Sequence, residues 1–123
     1  GDIELRKKLF GILTDGQQNI PVIISPKAVV SINSQINTGS IIMHNAVVNS
    51  YAIIGNNCII NTGAIIEHDS IVGNNCHISS GAIVIGGIKI CDDVMVGAGA
   101  VVVKDITEPG IYLGIPAKKY VQV

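Results

Sequence analysis

Aliphatic residues recur at every sixth position from residue 24 to residue 102. Fourteen Ile or Val residues occupy these positions without a break in register. A second series lies four places after each of them, and its first ten members, from Ala28 to Ala82, are all Ala, Ser or Cys. A period of six fits neither the 3.6-residue repeat of a helix nor the two-residue alternation of a half-buried strand. It is typical of a parallel β-helix, in which each hexad supplies one short strand and one corner.

A coarser repeat of eighteen residues indicates that three hexads complete one triangular coil. Glycine recurs at positions 63, 81 and 99, and the pairs Asn56-Asn57, Asn74-Asn75 and Asp92-Asp93 recur at the same spacing. Gly, Asn and Asp are the residues that best tolerate left-handed backbone, so stacked corners would select them. We therefore predict an all-β fold of between four and five coils, with the aliphatic series inside and the small series at the tight corners.

The segments on either side of the repeat predict two short ends. Residues 2–14 read as a helix that residues 15–19 terminate. Its apolar side would be formed by Ile3, Leu9, Phe10 and Leu13. Such a helix has little to pack on, which favours a missing upstream domain over the alternative of a naturally short protein. The predicted organisation is an N-terminal helix in residues 1–20, a β-helix in 21–107 and a C-terminal cap in 108–123.

Charge and composition narrow the possible functions. The chain of 123 residues has a net charge of −1 and no cluster of Lys or Arg, so we expect no nucleic-acid or anionic-membrane partner. Nothing resembles a transmembrane span or a signal peptide. The three cysteines lack the spacing of a metal site. Cys58 and Cys76, eighteen residues apart, should stack inside the prism as free thiols, which suits a reducing cytoplasm.

The polar residues that break the hexad pattern are the candidates for chemistry. His44, His68 and His77 occupy neither the aliphatic nor the small series, so all three are expected to point outward. Glu67 and Asp69 flank His68. A neutral imidazole can take a proton from an attacking amine or hydroxyl, and a neighbouring carboxylate fixes its tautomer and raises its basicity. The alternative is that all three are solvated surface histidines, and His44, which has no carboxylate neighbour, fits that alternative or a subunit contact.

Four stretches of the chain resemble one known family. They are PVIISPKAVV at 21–30, NTGAIIEHDSIVGNNCHISSGAIVIGG at 61–87, VGAGAVVVKDI at 96–106 and GIPAK at 114–118. The chain resembles the left-handed β-helix (hexapeptide-repeat) acyltransferases, and within them the sialic acid O-acetyltransferases and bacillosamine-pathway amino-sugar N-acetyltransferases. The EHD and GIPAK segments carry the narrower resemblance, whereas the hexads alone point to the wider superfamily.

The resemblance implies a left-handed coil, a homotrimer with active sites between neighbouring prisms, acetyl-CoA as co-substrate and no metal. It implies a sugar acceptor that is acetylated at nitrogen or oxygen. By matching motifs, His68 resembles the general base and Asp69 its carboxylate partner. The resemblance also implies contacts with acetyl-CoA from His77, Gly86, Ala98 and Lys118. Family members usually carry a Rossmann-like domain before the β-helix, so residues 1–20 are expected to be its remnant.

The mechanism implied is direct transfer in a ternary complex. A covalent acyl-enzyme is not expected, because Cys58 and Cys76 should lie inside the prism. Two alternatives stay open. One is a trimeric scaffold without activity, and the other is a metalloenzyme like the γ-carbonic anhydrases, which hold zinc with histidines from adjacent subunits. Binding of acetyl-CoA separates the first alternative from the enzyme, and metal analysis separates the second.

Overall fold

A computed structural model describes residues 2–15 and 20–122 of the chain. Three sheets of two- to four-residue strands form the sides of a prism, and one helix lies against it. The elements are α1 Ile3–Asp15, β1 Ile23–Ile24, β2 Val29–Val30, β3 Gln35–Ile36, β4 Ile41–Ile42, β5 Val47–Val48, β6 Ile53–Ile54, β7 Ile59–Ile60, β8 Ile65–Ile66, β9 Ile71–Val72, β10 His77–Ile78, β11 Ile83–Val84, β12 Lys89–Ile90, β13 Val94–Val96, β14 Val101–Val102, β15 Gly110–Leu113 and β16 Lys118–Lys119.

The strands from β1 to β15 pair in parallel with strands of neighbouring coils. Sheet A contains β1, β4, β7, β10, β13 and β15, sheet B contains β2, β5, β8, β11 and β14, and sheet C contains β3, β6, β9 and β12. The register is eighteen residues up to β14, as shown by the pairing of Ile59 with His77 and of His77 with Met95, and it shortens to sixteen where β13 pairs with β15. The predicted β-helix of three-hexad coils is therefore confirmed. At the C-terminal end, β16 turns back and pairs antiparallel with β15.

The interior of the prism contains the two series that the sequence predicts. The aliphatic series is buried from Ile42 to Val102, and the small series and its C-terminal continuation are buried from Ser40 to Ile106. The aliphatic residues of the first coil are less buried, and Ile24 is 44% exposed. They are less buried because no further coil lies below them to complete their contacts.

Every corner from residue 38 to residue 99 turns through one residue with left-handed backbone. From residue 39 to residue 99 this is the second residue of the corner, and it is Gly, Asn or Asp at every corner except one. The exception is Tyr51, whose φ is +63° and whose side chain is 63% exposed. A Cβ crowds the following carbonyl oxygen in this conformation, so Tyr51 is strained.

We expect Tyr51→Asn to raise the free energy of unfolding by about 1 kcal/mol, because Asn adopts the left-handed conformation more readily. Urea denaturation of the two proteins measures the difference. Tyr120→Asn is the matched control, since Tyr120 is also exposed and does not have a positive φ. Equal stability of the parent and Tyr51→Asn would contradict the strain.

Helix α1 packs on the corner between sheets C and A, contrary to the expectation that it has little to pack on. Arg6 donates a hydrogen bond to the carbonyl of Asn57 over 2.7 Å, and Lys7 pairs with Asp93 at 3.1 Å. The predicted apolar side is only partly correct, since Ile3 and Phe10 are half-buried whereas Leu9 and Leu13 are exposed. The reason is that the contact with the prism includes the polar side chains of Arg6 and Lys7.

Residues 16–19, predicted to end this helix, lie outside the described residues. Within residues 2–15 and 20–122, no helix has the length and the apolar character that a membrane span requires.

Candidate active site

The three histidines lie on three different parts of the prism. His44 lies at a corner between sheets A and B, His77 lies in β10 of sheet A, and His68 lies between β8 of sheet B and β9 of sheet C. We call the column of corners between sheets B and C, at residues 32–33, 50–51, 68–69, 86–87 and 104–105, corner BC. Within one chain the predicted site residues therefore do not all converge.

His68 and Asp69 form a hydrogen-bonded pair at corner BC. The Nδ1 atom of His68 lies 2.9 Å from Oδ2 of Asp69. Asp69 is the left-handed residue of this corner, with φ at +61°. The side chains are 68% and 62% exposed, so the pair contributes little to stability. A carboxylate that accepts a hydrogen bond from Nδ1 favours the tautomer with the proton on Nδ1. In that tautomer Nε2 has no proton and can accept one from a reactant.

Gly86 occupies the same corner position as His68 in the next coil, and the imidazole of His68 lies across it. Lys104, which the sequence analysis did not select, is exposed in the following corner of the same column. That corner is two residues shorter, since Ile90 pairs with Ile106 whereas Val84 pairs with Val102. The eighteen-residue spacing therefore places Lys104 near this column but does not fix its position.

Two other predicted contacts lie elsewhere on the prism. Ala98 lies at a corner between sheets A and B, and Lys118 lies in β16 opposite Leu113. Both are exposed, but neither belongs to corner BC.

His77 is buried, although the sequence predicted that it points into solvent. It is only 5% exposed, and its Nε2 lies 3.2 Å from Nδ2 of Asn61. Arg6 of α1 reaches the adjacent carbonyl of Cys76, so the helix helps to cover this side of sheet A. With Nε2 accepting from Asn61, the proton is on Nδ1, which has no hydrogen-bond partner among the described residues. Burial lowers the pKa of His77 to about 4, so the ring is neutral near pH 7.

The lowered pKa of His77 predicts a stability that depends on pH. Between its unfolded value of 6.5 and its folded value of about 4, the unfolded chain binds a proton that the folded chain does not bind. Stability is therefore complete above pH 6.5, and about 2–3 kcal/mol is lost as the pH falls to 4. Urea midpoints between pH 7.5 and 4 measure this loss. We expect a shallower slope in His77→Gln and the parent slope in the exposed control His44→Gln. Equal slopes in all three proteins would contradict the prediction.

Other polar contacts near the histidines were not predicted from the sequence. Nδ2 of Asn49 lies 2.5 Å from Oε1 of Glu67, and Oγ of Ser25 lies 2.5 Å from Nδ1 of His44. Asn49 and Glu67 are eighteen residues apart, so the repeat could have predicted their contact. Among the described residues, no three His, Cys, Asp or Glu side chains converge in a way that could hold a metal ion.

The two cysteines in the small series are buried, as predicted. Cys58 and Cys76 are 0% exposed and free, and Sγ of Cys58 contacts the carbonyl oxygen of Gly73 at 3.0 Å. Neither thiol is accessible to an external acyl donor, so the imidazole at corner BC is the better candidate for the reactive group.

Comparisons with known proteins agree with this architecture. Residues 51–86 match the family profile described as bacterial transferase hexapeptide (six repeats), a range that contains His68, Asp69 and His77. No curated protein sequence matches the chain.

Solved structures of sugar acetyltransferases share the fold. The acetyltransferase domain of PglB from Neisseria gonorrhoeae superposes with a TM-score of 0.81 at 29% identity, and the match covers 96% of this chain and 66% of that one. The same domain has been solved with acetyl coenzyme A. PerB from Caulobacter crescentus, solved with CoA and GDP-perosamine, gives a TM-score of 0.78 at 32% identity, with 98% and 67% covered.

WeeI from Acinetobacter baumannii, at 21% identity and a TM-score of 0.78, shows the same fold. The chain spans about two thirds of the length of these proteins. With the hexapeptide profile inside the repeat and 32% identity to a perosamine N-acetyltransferase, the chain belongs to the left-handed β-helix (hexapeptide-repeat) acyltransferases, in the branch of the amino-sugar acetyltransferases.

Proposed function

We propose that this chain carries the catalytic site of an acetyltransferase that transfers an acetyl group from acetyl-CoA to an amine or hydroxyl of a sugar. The observation that supports this most directly is the hydrogen bond between His68 and Asp69, which leaves Nε2 of an exposed imidazole free. The related structures solved with acetyl coenzyme A, and with CoA together with GDP-perosamine, support the donor and the class of acceptor.

The reaction is a direct transfer. Nε2 of His68 accepts the proton of the acceptor as its nitrogen or oxygen attacks the thioester carbonyl. A carbon–nitrogen or carbon–oxygen bond forms, the carbon–sulfur bond breaks, and the proton passes from His68 to the departing thiolate. Asp69 stabilises the imidazolium between these steps. The N–H of Gly86, which has no protein acceptor among the described residues, is a candidate donor to the oxyanion of the tetrahedral species.

The donor is proposed to lie along corner BC, with its phosphates toward the C-terminal coils. Coils are about 4.8 Å apart, so Lys104 lies about 10 Å along the prism from His68 and can extend further with its side chain. Lys118 faces a different side of the prism, which makes Lys104 the better placed cation in one chain. His77, Ala98 and Lys118 would serve the same site only if a neighbouring prism brought them to it.

We propose a homotrimer with active sites between neighbouring prisms. The outward residues of sheet B are all aliphatic, namely Val29, Val47, Ile65, Ile83 and Val101. The face that they form ends at corner BC, beside His68. An apolar face of this extent is typical of a subunit interface. Light scattering should give three times the 12.8 kDa of the protomer. A monomer at micromolar concentration would contradict this arrangement.

The free buried thiols of Cys58 and Cys76 suit a cytoplasmic location.

The proposed activity is tested by loss of the acetyl-CoA thioester in the presence of candidate acceptors. The panel consists of amino-sugar nucleotides and free sialic acid. The longest available form of the protein is used because this chain spans about two thirds of the length of the related structures. Turnover with an amino sugar indicates N-acetylation, and turnover with sialic acid indicates O-acetylation. Absence of turnover together with absence of acetyl-CoA binding would favour the inert scaffold.

Binding of acetyl-CoA alone also tests the position of the donor. Titration calorimetry compares the parent with Lys104→Ala and Lys118→Ala. We expect the larger loss of affinity in Lys104→Ala. A loss confined to Lys118→Ala would indicate that the phosphates contact Lys118 of β16 and not Lys104.

A further inference from the structure

Gly86 is a glycine that the backbone of the β-helix does not require. From residue 39 to residue 99 the left-handed residue is always the second residue of a corner, and Gly87, with φ at +72°, fills that place. Gly86 is the first residue of its corner and does not have a positive φ. At the other corners between residues 38 and 99 this first place carries Thr, His, Ser, Asn, Asp or Ala. A side chain is therefore compatible with the backbone at this place.

The space that a side chain at Gly86 would need is occupied by the imidazole of His68. A Cβ built on Gly86 would lie 2.7 Å from Nε2, 2.9 Å from Cε1 and 3.3 Å from Cδ2 of that ring. These are its three nearest neighbours, and all belong to one side chain. The closest is Nε2, the nitrogen that Asp69 leaves free.

We propose that Gly86 is a positioning residue, whose missing side chain allows the His68 imidazole to lie across the next coil while Nδ1 stays bonded to Asp69. This inference rests on the proposed function of His68. The resemblance implies only that Gly86 contacts acetyl-CoA. The inference adds a function for the missing Cβ, which is to leave room for Nε2 of His68, the nitrogen that accepts the proton.

The physical consequence of adding a methyl group at this place differs from that at Gly55 and Gly73, which are crowded by backbone. At Gly73 a Cβ would lie 2.5 Å from Oδ1 of Asp92, and the backbone nitrogen of Asp92 and the carbonyl carbon of Cys91 would both be 2.7 Å away. Backbone inside a stacked coil cannot move without breaking its hydrogen bonds. At Gly86 the obstacle is the end of an exposed side chain, so the imidazole is displaced and the coil stays intact.

The experiment compares Gly86→Ala with the parent and with Gly11→Ala, a matched control because a Cβ at Gly11 meets nothing within 4 Å. We expect Gly86→Ala to keep its melting temperature while kcat falls about 10²-fold, the effect of a displacement of about 1 Å in a catalytic group. In a His68→Ala background the same substitution should change kcat no further, since the ring it displaces is absent.

A measurement without turnover separates this inference from the proposed function. The ring ¹⁵N chemical shifts of His68 at pH 8 should change in Gly86→Ala, because the Nδ1 hydrogen bond to Asp69 is lost, whereas those of His44 should not. This comparison stands even if the parent acetylates no acceptor. Unchanged His68 shifts and unchanged kcat would overturn the inference. If Gly86→Ala does not fold, the double variant with His68→Ala decides: recovery of the fold supports the steric contact, and failure overturns it.

Discussion

His68→Ala is expected to lower kcat for sugar acetylation by roughly 10²–10⁴-fold, the usual effect of losing a general base. The imidazole is exposed at corner BC and contributes little to the core, so the variant should keep the parent melting temperature. Its affinity for acetyl-CoA should also stay close to that of the parent, because the proposed role of His68 is to accept a proton. Initial rates in the longest available form of the protein measure the effect.

Asp69→Asn tests the partner role without disturbing the corner, because Asn also tolerates the φ of +61° that Asp69 adopts. We expect a smaller loss of kcat than in His68→Ala. A neutral amide stabilises the imidazolium that forms during the reaction less well than a carboxylate does, so initial rates of the two variants measure the contribution of the partner.

The two variants have different consequences for the assignment. Near-parental kcat in His68→Ala would show that another group accepts the proton. A parental kcat in Asp69→Asn would remove only the partner role, and the 2.9 Å hydrogen bond would then serve to orient the ring. His44→Ala is the control, since His44 lies at a different corner and bonds to Ser25.

The fold could be predicted because one constraint repeats along the chain. Each hexad places its aliphatic residue inside the prism, so an error at a single position would not obscure the period of six. The ends of the prism do not obey the same constraint. Ile24 belongs to the aliphatic series but is 44% exposed, because burial at the first coil depends on what lies beyond it.

The candidate site could be predicted only in part. The proximity of His68 to Asp69 follows from their being neighbours at one corner, and the position of Gly86 beside them follows from the eighteen-residue coil. The burial of His77 was not predicted, because the period places it on the outer side of the coil. The period also contains no information about α1, whose Arg6 bonds to the adjacent carbonyl of Cys76.

The second large effect is expected in the core, where Ile78→Asp should unfold the prism. Ile78 of β10 is 0% exposed, and its side chain lies in the interior of the prism. The substitution removes packing worth about 2–5 kcal/mol and leaves a carboxylate without a partner, at a further cost of several kcal/mol. The sum of these two costs is comparable to the free energy of unfolding of a typical domain, which is about 5–15 kcal/mol. Ile60→Asp, one coil below in the same column, should behave in the same way.

The matched control is Ile71→Asp, since Ile71 is an outward residue of β9 in sheet C and is 36% exposed. A carboxylate there stays in contact with water, so we expect a folded protein whose melting temperature is within a few degrees of that of the parent. Circular dichroism and thermal melts of the three variants measure the contrast. Because neighbouring residues of a strand face opposite sides, this contrast tests the register itself. If Ile78→Asp melted at the parent temperature, or if Ile71→Asp unfolded while Ile78→Asp did not, the inward assignment of the aliphatic series would be wrong.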